Sequence, residues 1–403
     1  MVLSYVCLLV FVAVAASVQD FVNVGSYISL DFVGCALSFI SILLMIFFFI
    51  FCGSVIGKLE AVLIGISSIF SVVCFLSNDT MVFWVSYELA IIPLVYSLLL
   101  GSPYSERFLA FWYLLGYVCL TSLPLLFSIQ YVNFLAHTTN MGFKYGLEGP
   151  GGFILGVIMF ILFSTKIPLP PFHAWLPIVH AEASTIVSVW LSGFIMKLGI
   201  IGMYRFVLPL IQDNSNMITV LIGYSVAILL SCLSELDTKR WLAYLSLGHI
   251  VIAVVGLLNS EGVNSEAPIY CLGHGFSASL LFICFLFIYE SFGSRSWLAV
   301  SLAGRISVGF LLVISTSLLT AASFPPSLNF FAEIFILGLS FHSLNIILAY
   351  LFYLLVGGLI PVLILAYLVC SSGESHGNGV PSFGILFSLY IVALSTYVFF
   401  MML

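Results

Sequence analysis

Four ionisable side chains lie inside stretches of this chain that are apolar enough to form lipid-spanning helices. Glu88 lies in the segment FWVSYELAIIPLVYSLLL, and Lys166 ends the segment FILGVIMFILFSTK just before a run of prolines. Lys197 lies midway along the apolar residues 184–211, and Glu333 follows a Pro-Pro pair. A charge at membrane depth costs at least about 2.5 kcal/mol even on the most lenient insertion scales. Because acids and bases are both present, the pattern is more typical of a chain that moves protons or ions than of a passive anchor.

The composition of the chain identifies it as a membrane protein. Of its 403 residues, 63% are hydrophobic and only 6% are charged. Soluble domains contain about 25% charged residues, so a water-soluble core is excluded. The nine cysteines form no CxxC motif and no cluster with histidine, which favours small apolar residues in helices. We therefore predict no metal site, iron–sulfur site or disulfide.

Hydropathy predicts an all-α polytopic membrane protein with a single membrane domain over 1–403. A helix needs about 20 apolar residues to cross the bilayer core. This rule predicts thirteen spans, near residues 3–18, 31–52, 60–77, 80–101, 107–129, 152–180, 184–211, 216–234, 240–258, 266–290, 305–343, 345–370 and 383–402. The first segment lacks the basic start of a signal peptide, so we interpret it as a retained helix. The longest polar connections are predicted at 130–151 and 291–304.

Basic residues predict the orientation of these spans. Loops on the N-terminal side contain six basic residues, namely Lys58, Arg107, Lys239, Arg240, Arg295 and Arg305. Loops on the other side contain only Lys144, and Arg205 near a helix end is ambiguous. The positive-inside rule therefore places the N-terminus in the matrix or cytoplasm and the C-terminus in the opposite compartment.

Two of the predicted spans cannot be continuous helices. Four prolines follow Lys166 within residues 168–177, and a second proline-containing interruption occurs in the segment AASFPPSLN at 321–329. Proline removes a backbone donor and clashes with the preceding helical turn. The breaks fall in the sixth and eleventh spans, which are five spans apart. Two repeated units separated by an odd number of spans have opposite orientations in the membrane, as in the inverted repeats of transporters. We predict N-terminal helices (1–58), two five-helix repeats (59–211 and 214–370) and a C-terminal helix (371–403). Coincidental kinks are the alternative.

Several motifs together resemble the antiporter-like membrane subunits of respiratory complex I. The main one is KIPLPPFHAWLPIVHAEASTIVSVWLSGFIMKLGIIGMYRF at 166–206, in which the second lysine, Lys197, follows the first by 31 residues. The others are YELAIIP around Glu88, LDTKRWLAYLSLGH, LGHGFSASLLF and PPSLNFFAE ending at Glu333. The resemblance covers about residues 80–340.

The resemblance implies a role for each of the four ionisable residues in the apolar segments. Glu88 is expected to pair with Lys166, Lys197 to act as a mid-membrane relay, and Glu333 to be the terminal site. Desolvation disfavours the charged form of a buried lysine, which suits a proton relay. The alternatives are a static buried ion pair for Glu88 and snorkelling towards an interface for Lys197.

Four histidines are further candidates. His249 and His274 occupy positions that the family uses to link its two halves, and histidine can pass a proton between its two ring nitrogens. A structural histidine is the alternative for each, and the pairs of histidines that a bis-haem bundle requires are absent from the sequence. His173 and His180 border the first break and are predicted to support hydration or helix ends. Lys239 and Arg240 are predicted to anchor a helix at the inner surface rather than to relay protons.

The resemblance implies a proton-translocating subunit that carries no redox centre or cofactor of its own. NADH, FMN, Fe–S clusters and ubiquinone are expected in partner subunits of the membrane and peripheral arms, with adjacent antiporter-like chains as neighbours and no nucleic acid. A multi-pass position in the mitochondrial inner membrane is expected, with a bacterial plasma membrane as the alternative. The other functional readings are an Mrp-type cation/proton antiporter subunit and a structural membrane-arm subunit without transport.

Overall fold

The computed structural model describes residues 22–25, 27–51, 57–102, 104–141, 150–211, 215–259, 266–303, 308–341 and 343–371. Its helices are α1 (Phe32–Phe51), α2 (Lys58–Leu76), α3 (Thr80–Gly101), α4 (Arg107–Ala136), α5 (Pro150–Ser164), α6 (Trp175–Glu182), α7 (Thr185–Val207), α8 (Ser215–Cys232), α9 (Thr238–Asn259), α10 (Glu266–Phe292), α11 (Trp297–Ala303), α12 (Val308–Ala321), α13 (Leu328–Leu339) and α14 (Leu344–Ser371). Eight of these helices are long and apolar enough to cross a membrane. The predicted class, an all-α polytopic membrane protein, is confirmed.

The order of the helices follows the predicted order of the spans. Both predicted breaks are present, between α5 and α6 and between α12 and α13. Each broken helix counts as one span, so α2–α7 and α8–α14 each contain five long spans, of which the fourth is broken, with α11 as an additional short helix. The predicted spans 3–18 and 383–402 lie outside the described residues.

Three local elements differ from the sequence prediction. Two short strands, β1 (Val22–Val24) and β2 (Ile28–Leu30), pair as an antiparallel hairpin, and Gly25 after β1 has a φ of 85°. The hairpin's short β-branched segments flank a glycine turn, which is a hairpin signal that hydropathy does not detect. Helix α4 continues to Ala136 into the predicted polar connection 130–151. The connection 291–304 contains α11, whose Trp297 Nε1 donates to the Glu235 carbonyl at 2.9 Å.

Three helices form the interior of the bundle. In their most apolar 18-residue segments, α7, α9 and α10 are 100%, 89% and 89% buried, whereas α2, α4 and α14 are only 33%, 28% and 39% buried and present exposed apolar side chains. Helix α10 packs against both α7 and α9, so it joins the two halves. Lys197, His249 and His274, which lie in the buried parts of these helices, are therefore held among other helices rather than against lipid.

Contacts between loops define the two ends of the bundle. Hydrogen bonds among residues 60, 102, 181–184, 239 and 295 bring the loops of one end together. We call this end, which carries Lys58, Arg107, Lys239, Arg240 and Arg295, the inner end. The opposite end, the outer end, carries the hairpin and Arg205. The structure thus resolves the ambiguous position of Arg205, while Lys144 and Arg305 lie outside the described residues.

A buried arginine ties three elements together at the outer end. Arg205 is 6% exposed, and its Nη2 lies 3.1 Å from Asp31 Oδ1 just before α1. The guanidinium also donates to the carbonyls of Phe75, at 2.6 Å, and Ser77 at the end of α2. A side chain at Gly34 would collide with two partners of this guanidinium, the Phe75 carbonyl oxygen and Asp31 Oδ1, and its Cβ would lie 3.2 Å from Arg205 Nη2. The arginine therefore joins α1, α2 and α7.

Replacing this arginine is expected to destabilise the chain. Arg205→Met leaves Asp31 buried without its partner, and breaking a buried ion pair on one side costs about 3–5 kcal/mol. Thermal unfolding of the detergent-solubilised full-length chain measures the loss. Lys58→Met is the control, because Lys58 is exposed and such changes usually stay within about 0.5 kcal/mol. Equal melting of the two variants would contradict a structural role for Arg205.

Candidate functional site

The first half of the molecule contains a buried ion pair. Glu88 on α3 is 8% exposed, and Lys166, just after α5, is 7% exposed. Lys166 Nζ lies 3.7 Å from Glu88 Oε2 and 5.1 Å from the centroid of the Tyr87 ring. The pair is therefore close but loosely joined, and an aromatic face supplies additional attraction for the ammonium group.

The backbone at both breaks is supported by side chains. In the first break, the Thr165 carbonyl accepts from Trp175 Nε1 at 3.0 Å. In the second, the Thr320 carbonyl accepts from Asn329 Nδ2 at 3.1 Å, and Ser327 caps α13 by accepting from the Phe330 amide at 3.4 Å. Backbone groups freed at membrane depth need such partners, because lipid offers none. The breaks are thus built features that place Lys166 and Glu333 beside unwound chain.

Lys197 lies at the centre of the bundle. Its side chain is fully buried, and its ammonium donates to the Ser192 carbonyl. Ser192 belongs to a π-helical turn of α7, Leu191–Ile195, and such turns occur frequently at functional sites.

Close backbone approaches place α7 between the two halves. Gly199 lies against Ile167, the neighbour of Lys166, and Gly275, the neighbour of His274, lies against the Gly193 carbonyl. Lys197 is therefore on a helix that touches the chain beside both the lysine of the first half and the histidine of the second.

Histidine, tyrosine and glutamate form a connected group in the second half. The His249 and His274 ring centroids are 6.2 Å apart. His249 Nδ1 lies 2.6 Å from the Tyr353 hydroxyl, which donates to Glu333 Oε1 at 3.2 Å. Tyr270 approaches the same hydroxyl at 3.3 Å. His249, His274, Tyr353 and Glu333 are all at most 5% exposed, so the group is enclosed by protein.

A small cavity lies beside the two histidines. Its volume is about 10 Å³, near the minimum that holds one water molecule. His249, His274, Ser246 and Ser277 contribute its polar lining. The Nε2 atoms of both histidines are buried without a protein partner in the described part of the chain, so a bound water would satisfy them.

The other two histidines lie apart from this group. The His173 ring packs against Tyr224 with its centroid at 5.3 Å, and His180 stacks on Phe282 at 5.0 Å. The structure therefore brings Glu88 to Lys166, and His249 to His274 and Glu333, while Lys197 lies on the helix between these two groups.

Neither the role of Tyr353 nor the burial of Lys239 was predicted from the sequence. Tyr353 carries no charge and lies in a lipid-exposed span, where a tyrosine usually reads as an interfacial residue. Lys239 was predicted at the inner surface, but it is only 2% exposed and donates to the Ala183 carbonyl at 3.0 Å. Lys239 does lie at the inner end, but it is buried there because the start of α9 packs against α6; Arg240, its neighbour, is exposed.

Comparison with known proteins places this arrangement in a family. The family model described as NADH:quinone oxidoreductase/Mrp antiporter, TM, matches residues 77–359. NADH-ubiquinone oxidoreductase chain 4 of Acanthamoeba castellanii is 30% identical over 281 residues, which are 67% of this chain and 55% of that protein. The same chain of Artemia franciscana is 32% identical over 267 residues, 65% of this chain and 67% of that protein.

Solved structures share the fold at low sequence identity. A chain of respiratory complex I from Thermus thermophilus with bound NADH superposes with a TM-score of 0.84 at 19% identity, covering 97% of this chain and 88% of that chain. A chain of the Mrp complex from Dietzia sp. DQ12-45-1b gives a TM-score of 0.80 at 15% identity, covering 98% and 87%.

The chain spans about half to two thirds of the length of the curated relatives it matches. The family model nevertheless covers well over half of the chain and includes Glu88, Lys166, Lys197, His249, His274 and Glu333. This chain is a multi-pass membrane protein that belongs to the NADH:quinone oxidoreductase/Mrp antiporter transmembrane family.

Proposed function

We propose that this chain is a proton-translocating subunit in the membrane arm of NADH:ubiquinone oxidoreductase. The observation that carries the proposal is the row of buried titratable side chains on interior helices, from the Glu88–Lys166 pair to the His249–Tyr353–Glu333 group. Buried ionisable groups at membrane depth are costly and mark ion or proton pathways. The curated relatives named NADH-ubiquinone oxidoreductase chain 4 favour complex I as the assembly.

In the first half of the molecule, Glu88 controls whether Lys166 keeps or releases its proton. While Glu88 is ionised, it favours the ammonium form of Lys166. When Glu88 takes a proton or moves away, Lys166 loses this attraction inside a low-dielectric interior and releases its proton towards Lys197. The separation of 3.7 Å leaves the pair easy to open.

The second half passes the proton onwards. Lys197 delivers it to the histidine pair, where His274 and His249 are adjacent. Protonated His249 then donates through Nδ1 to the Tyr353 oxygen while the Tyr353 hydroxyl proton moves to Glu333 Oε1. One N–H and one O–H bond break and two O–H bonds form, so tyrosine is regenerated and no charge remains on it. Glu333 releases the proton to the outer side.

The energy for this movement comes from other subunits. Moving one charge against about 150–200 mV costs about 3.5–4.6 kcal/mol, which the chain cannot supply alone. NADH oxidation, FMN, Fe–S clusters and ubiquinone reduction are assigned to partner subunits, and neighbouring antiporter-like chains flank this one in the mitochondrial inner membrane. A cation/proton antiporter of the Mrp type is the alternative within the family, and a strict sodium requirement for transport would favour it.

Removing the central amine is expected to stop translocation. Lys197→Met keeps the volume of the side chain but cannot carry a proton, so NADH-driven pumping should fall by about 100-fold, the scale of a lost acid–base group. Proton uptake into vesicles containing the intact complex is the readout, beside the amount of assembled complex. Lys58→Met should pump normally. Normal pumping by an assembled Lys197→Met complex would show that the polar row only specifies helix packing.

The hydroxyl group of Tyr353, but not that of Tyr350, is expected to affect the pumping rate. Tyr353→Phe removes the link between His249 and Glu333 and should slow pumping about tenfold, or about 1.4 kcal/mol of barrier. Tyr350 is the matched control: it is equally buried on the same helix, but its hydroxyl donates to the Glu333 backbone carbonyl at 3.1 Å. Tyr350→Phe should retain pumping. Equal rates for both variants would remove the hydroxyl from the path.

A further inference from the structure

The inner end of the half-helix α6 is held by side chains from three other elements. Three successive carbonyl oxygens each accept a hydrogen bond, in the pairs Ala181–Arg295 at 2.6 Å, Glu182–Ser102 and Ala183–Lys239 at 3.0 Å. Ser102 follows α3, Lys239 begins α9, and Arg295 follows α10. We call these three side chains the inner clamp. Unpaired carbonyls and the negative end of the helix dipole both favour cations at this position.

The two cations of the inner clamp are themselves fixed. Arg295 Nη2 lies 3.4 Å from Asp237 Oδ2. The Tyr104 ring contacts both cations, with Arg295 Cζ 4.3 Å and Lys239 Nζ 4.9 Å from its centroid. Burial raises the pKa of Tyr104 to about 12, so the ring is neutral at physiological pH and attracts the cations through its face. The clamp is thus a network rather than a loose surface pair.

The other end of α6 is attached beside Lys166. Trp175, its first residue, donates from Nε1 to the Thr165 carbonyl at 3.0 Å. The eight residues of α6 are about 12 Å long, and hydrogen bonds stabilise both of its ends. A displacement at the clamp is therefore transmitted along a short, rigid element to the backbone that carries Lys166.

The inner clamp also connects this element to the second half. Lys239 lies on α9, and the same helix carries His249 ten residues later. Arg295 lies three residues after the end of α10, the helix of His274. The two basic residues thus join the helices of the histidine pair to the half-helix beside the first lysine.

We propose that Lys239 and Arg295 are positioning residues that hold α6, and through it Lys166, in register with Glu88 and with the second half. The proposal rests on the proposed function, since its consequence is the coupling of proton transfer in one half to the other. It assigns no proton-carrying step to either residue.

The test compares two adjacent basic residues in the intact complex. Lys239→Met removes a buried member of the inner clamp, whereas Arg240→Met removes an exposed neighbour. We expect Lys239→Met to raise backbone hydrogen exchange in residues 167–182 about tenfold, by local opening, and to lower protons pumped per NADH about tenfold, because small misplacements of reacting groups are costly. Arg240→Met should change neither quantity, and Lys239→Arg, which keeps the charge and donors, should restore both.

Three results would overturn the proposal. One is unchanged exchange in residues 167–182 of Lys239→Met, and the second is normal pumping by that variant despite raised exchange. The third is a uniform rise in exchange with loss of assembly that Lys239→Arg does not restore, which would show general unfolding. Lys197→Met separates this inference from the proposed function: if it fails to pump while Lys239→Met behaves like Arg240→Met, only the clamp is wrong. If Lys197→Met pumps normally, the proposed function itself is wrong.

Discussion

The structure depends on one constraint: an ionisable group at membrane depth must be surrounded by protein partners rather than lipid. The chain meets this constraint by placing such groups on or beside its buried helices and leaving its outer helices apolar. Lys197, His249 and His274 lie in the buried segments of α7, α9 and α10, while α2, α4 and α14 present large exposed hydrophobic side chains. Because these titratable side chains cannot face lipid, they remain in the same protein interior even where they do not contact one another.

The same constraint explains why two helices are broken. An unbroken helix satisfies its own carbonyls and offers none to its neighbours, whereas each break frees backbone groups that Trp175 and Asn329 then bind. The breaks and the charged residues therefore occur in the same place. Unwound chain must lie in the protein interior, and Lys166 and Glu333 lie beside it there. Arg205 at the outer end and the inner clamp at the other join helices across the bundle, so the interior is bounded by charge networks at both ends.

Much of this architecture could be predicted from the sequence, because a lipid-spanning helix requires only local apolar length. The spans and both proline breaks follow from that rule and from the chemistry of proline, and Glu88, Lys166, Lys197 and Glu333 are conspicuous as charges in apolar segments. Contacts across helices could not be predicted in the same way. Tyr353 is uncharged and Lys239 lies near a helix end, so neither has a local signal. The position of Tyr353 depends on its hydrogen bond from α14 to Glu333 of α13, and that of Lys239 on the packing of α9 against α6. The hairpin at 22–30 was missed because hydropathy does not detect turn geometry.

The proposed proton path requires Glu333 to change its protonation state through the Tyr353–His249 connection. Infrared difference spectroscopy of the intact complex, recorded on addition of NADH, measures this directly through the carbonyl stretch of a protonated carboxyl group. We expect a carboxyl band that disappears in Glu333→Gln and is diminished in Tyr353→Phe but not in Tyr350→Phe. A spectrum in which Glu333→Gln leaves every NADH-dependent carboxyl band unchanged would contradict this path.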